Sequence, residues 1–148
     1  MLIPKKEAIL FNCLREDSRK KLRDISRHTN IPISTAYDIL NKMRIQSIDK
    51  FTILPRYNVL GYKTHAIMII RPSPDARDSL SRFLNSSRMI NSFFVIDGTD
   101  FLIDMFFKDN SELNRFCKSI EGNYKTFNYE VHLVLDEIKK EGFLLEAG

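Results

Sequence analysis

The stretch THAIMIIRPSP, residues 64–74, holds five consecutive apolar residues, Ala66 to Ile70, closed by Pro72 and Pro74. Successive side chains of a strand point to opposite faces, so an unbroken apolar run makes both faces hydrophobic and requires cover on each side of its sheet. Proline lacks the N–H that a strand ladder uses, and the run must stop there. The same two-faced character recurs in FFVI, within MINSFFVIDGTD (residues 89–100). FLIDMFFK (101–108) places Phe101, Ile103, Met105 and Phe107 on one face, and KTFNYEVHLVLDEI (125–138) alternates Phe127, Tyr129, Val131, Leu133 and Leu135 against Asn128, Glu130 and His132. Between the strands lie two amphipathic helical patterns. DARDSLSRFLNSS buries Ala76, Leu80, Phe83 and Leu84; NSELNRFCKSI, capped by Asn110 or Ser111, buries Leu113, Phe116, Cys117 and Ile120.

This order, β-α-β-β-α-β, is that of a ferredoxin-like unit, an antiparallel sheet with two helices on one face. Helices cover only that face. A second copy of the chain, meeting the first through Ile67, Ile69 and Phe94, is the economical cover for the other, so a homodimer is expected.

The first sixty residues have a different rhythm. KKEAILFNCLREDS reads as a helix with Ala8, Ile9, Leu10, Cys13 and Leu14 inward and a stop at Asp17 and Ser18. RKKLRDISRHTN reads as a second helix with Leu22 and Ile25 inward and Arg19, Lys20, Lys21, Arg23 and Arg27 outward, ending at Asn30. NIPISTAYDILNKM gives a third, with Ala36, Ile39, Leu40 and Met43 at the spacing of a buried stripe and Ser34 expected as its cap. SIDKFTILPRY alternates as a strand stopped by Pro55, and NVLGYK reads as a linker. The chain is therefore expected to be α+β, with an N-terminal winged helix-turn-helix over 1–56, a linker over 57–63 and a ferredoxin-like domain over 64–148.

Charge follows the same division. Residues 1–63 hold 13 Lys/Arg against 6 Asp/Glu, whereas 64–148 hold 10 against 13. A basic N-terminal part points to a polyanion as its partner. In a helix-turn-helix the second helix enters the major groove, and short hydroxyl and amide side chains permit close approach. Ser34 and Thr35 can donate to phosphate or base edges, Tyr37 can reach a phosphate or a thymine methyl, Asn41 suits adenine, and Lys42 suits backbone or guanine. Asp38 either pairs with Lys42 at i+4 or accepts from a cytosine amino group. Arg19, Lys20, Lys21, Arg23, Arg27 and Lys50 are the expected phosphate contacts.

Other classes are disfavoured. RPSPDA lacks the glycines of a phosphate-cradling loop, and the chain holds no Ser/His/Asp order or metal-ligand spacing, so neither an enzyme nor a cofactor is expected. The longest apolar run is too short for a membrane span, and the N-terminus lacks the apolar core of a signal peptide; a cytoplasmic protein is expected. Cys13 and Cys117 stand far apart and read as free thiols.

The succession IL (Ile9, Leu10), DSR (Asp17 to Arg19), LRDIS (Leu22 to Ser26), ST (Ser34, Thr35), IDKFTILP (Ile48 to Pro55) and LGY (Leu60 to Tyr62) resembles the Lrp/AsnC, or feast/famine, transcription regulators, along nearly the whole chain. The resemblance implies a sequence-specific regulator of palindromic double-stranded DNA, built as a dimer through its C-terminal sheets and often as a tetramer or octamer. It further implies an amino-acid-like effector bound between dimers, carried here onto Gly98, Thr99 and Asp100 of the loop DGTD. That loop is shorter than the family's Gly-Asp-Tyr-Asp pattern. The alternative is an effector-independent architectural DNA-binding protein whose C-terminal domain only assembles oligomers.

Overall fold

The computed structural model describes residues 3–146, apart from the side chain of Phe127. The chain forms two units, one of the described residues up to Leu54 together with those from Lys139 onward, the other Pro55–Ile138. The expected boundary after residue 56 thus shifts slightly, and the end of the chain joins the N-terminal unit rather than the C-terminal one.

In the first unit, α1 (Lys5–Glu16), α2 (Leu22–Thr29) and α3 (Ile33–Gln46) close around Leu10, Ile25, Ile31, Ala36 and Met43, with Ile39 and Leu40 packed at the edge. Asn30 ends α2 with φ 57°, the left-handed conformation expected of it. Two boundaries differ from the expectation. Asp17 accepts from the backbone N–H of Arg19 (2.9 Å), and its carbonyl accepts from Lys20 N–H (3.1 Å). That local turn keeps Arg19, Lys20 and Lys21 ahead of α2 instead of on its face. α3 begins at Ile33 rather than with Ser34 as cap, because the Pro32 carbonyl takes the first helical bond from Ala36 N–H (2.9 Å) at a position where no N–H is needed.

The segment expected to be the wing strand, Ile48–Ile53, occupies the wing's place after α3 but forms no strand. A strand exists through its ladder, and none of these residues pairs with a strand among the described residues; Ile48 N–H donates to the Met43 carbonyl at the end of α3, at 2.8 Å. Phe51 instead lies under the Arg44 guanidinium, 5.7 Å from ring centroid to Cζ. The C-terminal segment returns to α1, where the Asn12 amide both donates to the Leu145 carbonyl and accepts from its N–H, each at 2.8 Å. Arg15 donates to the carbonyl and the carboxylate of Glu141, at 2.7 and 3.0 Å.

The second unit is the expected β-α-β-β-α-β: β1 (Thr64–Pro72), α4 (Arg77–Ser86), β2 (Ile90–Ile96), β3 (Asp100–Phe107), α5 (Asn110–Asn123) and β4 (Thr126–Leu133). The antiparallel sheet runs β2-β3-β1-β4. Ala66, Met68 and Ile70 lie beside Met105, Ile103 and Phe101, and these rows are buried together with Leu80, Leu84, Leu113 and Ile120 of the two helices. α5 is capped by Asp109, one residue before the expected cap, which accepts from Glu112 N–H at 2.8 Å. β4 ends at Leu133, leaving Leu135 94% exposed beyond the ladder.

The segment expected as a linker, residues 57–63, is a turn fastened to this unit. Tyr62 N–H donates to the Tyr57 carbonyl at 3.0 Å with Gly61 at φ 92°, and the Tyr57 ring stacks on Phe106 with centroids 3.8 Å apart. Cys13 and Cys117 are free thiols, and burial raises the pKa of the latter. No described helix is long and apolar enough to cross a membrane.

Candidate nucleic-acid interface

α3 is held from behind by its buried stripe, and its opposite face is open. Ser34 and Tyr37 are exposed, Thr35 and Asn41 half-buried. Lys42 is exposed but engaged: its Nζ reaches Glu7 Oε1 of α1 at 2.5 Å. The expected i+4 pair with Asp38 is therefore not made, since Glu7 is the nearer anchor, and Asp38 stands exposed with no ion pair among the described residues. Nothing in the sequence joins Glu7 to Lys42, which lie 35 residues apart.

Ahead of and along α2, Arg19, Lys21 and Arg23 are exposed and Lys20 half-buried, none of them ion-paired among the described residues; Lys50, beyond α3, is likewise exposed and free. Arg27 sits 3.9 Å from Asp24, one helical turn away. A residue missed in the sequence also faces outward: Ile33, the first of α3, is 51% exposed and stands one turn before Tyr37. Its i, i+4 spacing to Tyr37 was a signal available beforehand, but the expected helix start at Ser34 left Ile33 outside the helix.

In the second unit the loop after β2 carries Asp97 at φ 48° and Gly98 at φ 79°, which turns the chain tightly into β3. Gly98 and Thr99 are exposed, while Asp100 is buried and occupied. The Arg71 guanidinium donates to both Asp100 oxygens, at 3.0 to 3.3 Å, and the Thr99 hydroxyl donates to Oδ1 at 3.4 Å. Arg77 donates to the Thr99 carbonyl and lies over the Phe101 ring, 4.8 Å from its centroid. The Arg71 hydrogen bond, chiefly, holds the Asp100 carboxyl below its ordinary pKa of 3.8.

A short helix pair with an open second helix, in a basic unit of a chain that also carries a ferredoxin-like unit, defines a helix-turn-helix DNA-binding protein. No family model matches the chain. An uncharacterized HTH-type transcriptional regulator of Pyrococcus abyssi is 30% identical over 142 residues, covering 93% of this chain and 94% of the relative, and one of Pyrococcus horikoshii is similar to the same degree. Among solved structures, a Neisseria meningitidis transcriptional regulator in complex with L-Met superposes with a TM-score of 0.85 at 19% identity, covering 93% of both chains. Escherichia coli AsnC does so at 0.81 and 16%, covering 95% of this chain and 97% of AsnC. The structural likenesses show the fold; with the sequence relatives they make the chain a member of the Lrp/AsnC family of transcriptional regulators, a non-enzymatic DNA-binding family.

The bidentate pair sets a pH dependence. Because the folded Asp100 carboxyl titrates below its unfolded value, its stabilisation is fully present above the ordinary Asp range and is lost as pH falls through the lowered pKa. Thermal unfolding followed from neutral pH downward should show a flatter acid limb in Asp100→Asn than in the native chain.

Proposed function

We propose that the chain is a sequence-specific regulator that binds double-stranded DNA in the cytoplasm as a homodimer, through two copies of α3 in successive major grooves. The open face of α3, with Ser34 and Tyr37 exposed opposite the buried Ala36 and Met43, carries this reading. In it, Ser34, Thr35, Tyr37 and Asn41 meet the groove, and Arg19, Lys20, Lys21, Arg23, Arg27 and Lys50 meet phosphate. Lys42 steadies α3 through Glu7 as well as adding positive charge near the backbone. Half-sites then lie about one helical turn, ~34 Å, apart or at a multiple of it. Lys21→Ala should weaken binding to every duplex and reduce the salt slope by about 1, whereas Asn41→Ala should weaken binding to the preferred sequence selectively. Electrophoretic titration across a salt series checks both, and a chain that binds no duplex in a salt-dependent way overturns the reading.

The dimer is supported by the outer face of the sheet. Register sets Phe94, Leu102 and Ile69 in one row across three strands, with Phe94 53% exposed and the other two half-buried. Ile67 lies in the next row, between Asp104 and His132. An apolar band of this kind is closed by a second copy of itself, and tetramers or octamers are assembled from such dimers. Light scattering should therefore find no stable monomer, and a folded monomer in dilute solution refutes the interface.

For regulation, the loop of Gly98, Thr99 and Asp100 is the candidate site of an amino-acid effector, and one relative in fold is described as an L-Met complex. A specific observation favours the second reading, an effector-independent architectural protein: both oxygens of Asp100 are already taken by Arg71. Thermal unfolding in the presence of each of the twenty amino acids separates the two. A ligand of the folded state raises Tm by mass action, and a rise with any one of them removes the effector-independent reading.

A further inference from the structure

Ile33 and Tyr37 are 51% and 57% exposed on the open face of α3, at i and i+4, so their side chains are neighbours on one stripe in its first two turns. Aliphatic and aromatic surface at this position is not explained by the core, which the opposite stripe serves. Resting on the DNA-binding reading above, we propose that Ile33 and Tyr37 together read the C5-methyl groups of thymines, and that this apolar contact, not hydrogen bonding alone, selects the half-site.

Three observations fix the occupant. The pair is bordered on its own helix by Ser34, Asp38 and Asn41, so the apolar surface is two side chains wide and too narrow for a protein partner's hydrophobic core. The surroundings are cationic, with Lys21 just ahead of α2 and Arg23 on it, neither ion-paired among the described residues, and a surplus of seven positive charges over residues 1–63, which suits a polyanion. Within a major groove the thymine methyl is the apolar group on offer. The spacing also fits. Four residues of helix rise roughly 6 Å, close to two base steps of about 3.4 Å each, so the two side chains can reach thymines two positions apart. Asp38, beside them, repels phosphate and adds no attraction of its own to the backbone.

The test starts from a duplex selected by the full-length protein from a randomised library, then resynthesised with deoxyuridine in place of each thymidine in turn, which removes only the methyl. The native chain should lose about fourfold in affinity at each contacted position, the value of one buried methyl at ~0.8 kcal/mol. Ile33→Ala should bind the thymidine duplex several-fold more weakly yet lose its sensitivity at one of those positions, and Ile33→Val should keep most of it. Because Ile33 is outside the core, unchanged circular dichroism is expected for both variants. Equal binding of the native chain to every uridine-substituted duplex overturns the proposal and leaves the DNA-binding reading intact. An Ile33→Ala loss that is the same with and without the methyl overturns it too, and absence of salt-dependent binding to any duplex removes both.

Discussion

The C-terminal unit depends on β1 being paired on both edges, with β3 on one side and β4 on the other. A strand so placed can satisfy its backbone only within the sheet, and its alternation then assigns every side chain to a face. Ala66, Met68 and Ile70 go to the helices and are fully buried. His65, Ile67, Ile69 and Arg71 go to the other side, and from that single assignment come both the apolar band and the Arg71 grip on Asp100. A slip of one residue in this register would exchange the two sets and abolish core, band and ion pair together.

The N-terminal unit works with less. Its central cluster is Leu10, Ile25, Ile31, Ala36 and Met43, and each of its helices gives one stripe to that cluster and leaves its other face open. The Lys42 ammonium donates to Glu7 and so ties α3 to α1 across 35 residues of chain.

What was legible in the sequence follows the range of the interaction. Periodicity is local, so the buried stripe of Ala36 and Met43, the Phe101, Ile103, Met105 and Phe107 face, and the order of strands and helices could all be read from neighbours along the chain. The open face of α3 was read in the same way. Contacts between residues far apart left no such trace: Glu7 with Lys42, Arg71 with Asp100, Tyr57 on Phe106. The wing failed for the opposite reason, since Ile48–Ile53 has the alternation of a strand but no neighbouring ladder to join. Ile33 was lost to a boundary, because the cap expected at Ser34 set the helix start beyond it, whereas the Pro32 carbonyl accepts the first helical bond.

Asn12 holds the backbone of Leu145 across 133 residues of chain. Closing so long a loop is costly while the intervening residues are unfolded, and the cost drops once they have condensed into the sheet and its helices. The helical unit has its own core, but its Asn12 contact cannot form until the chain has been synthesised as far as Leu145. A nascent chain therefore carries the three helices before this contact is in place.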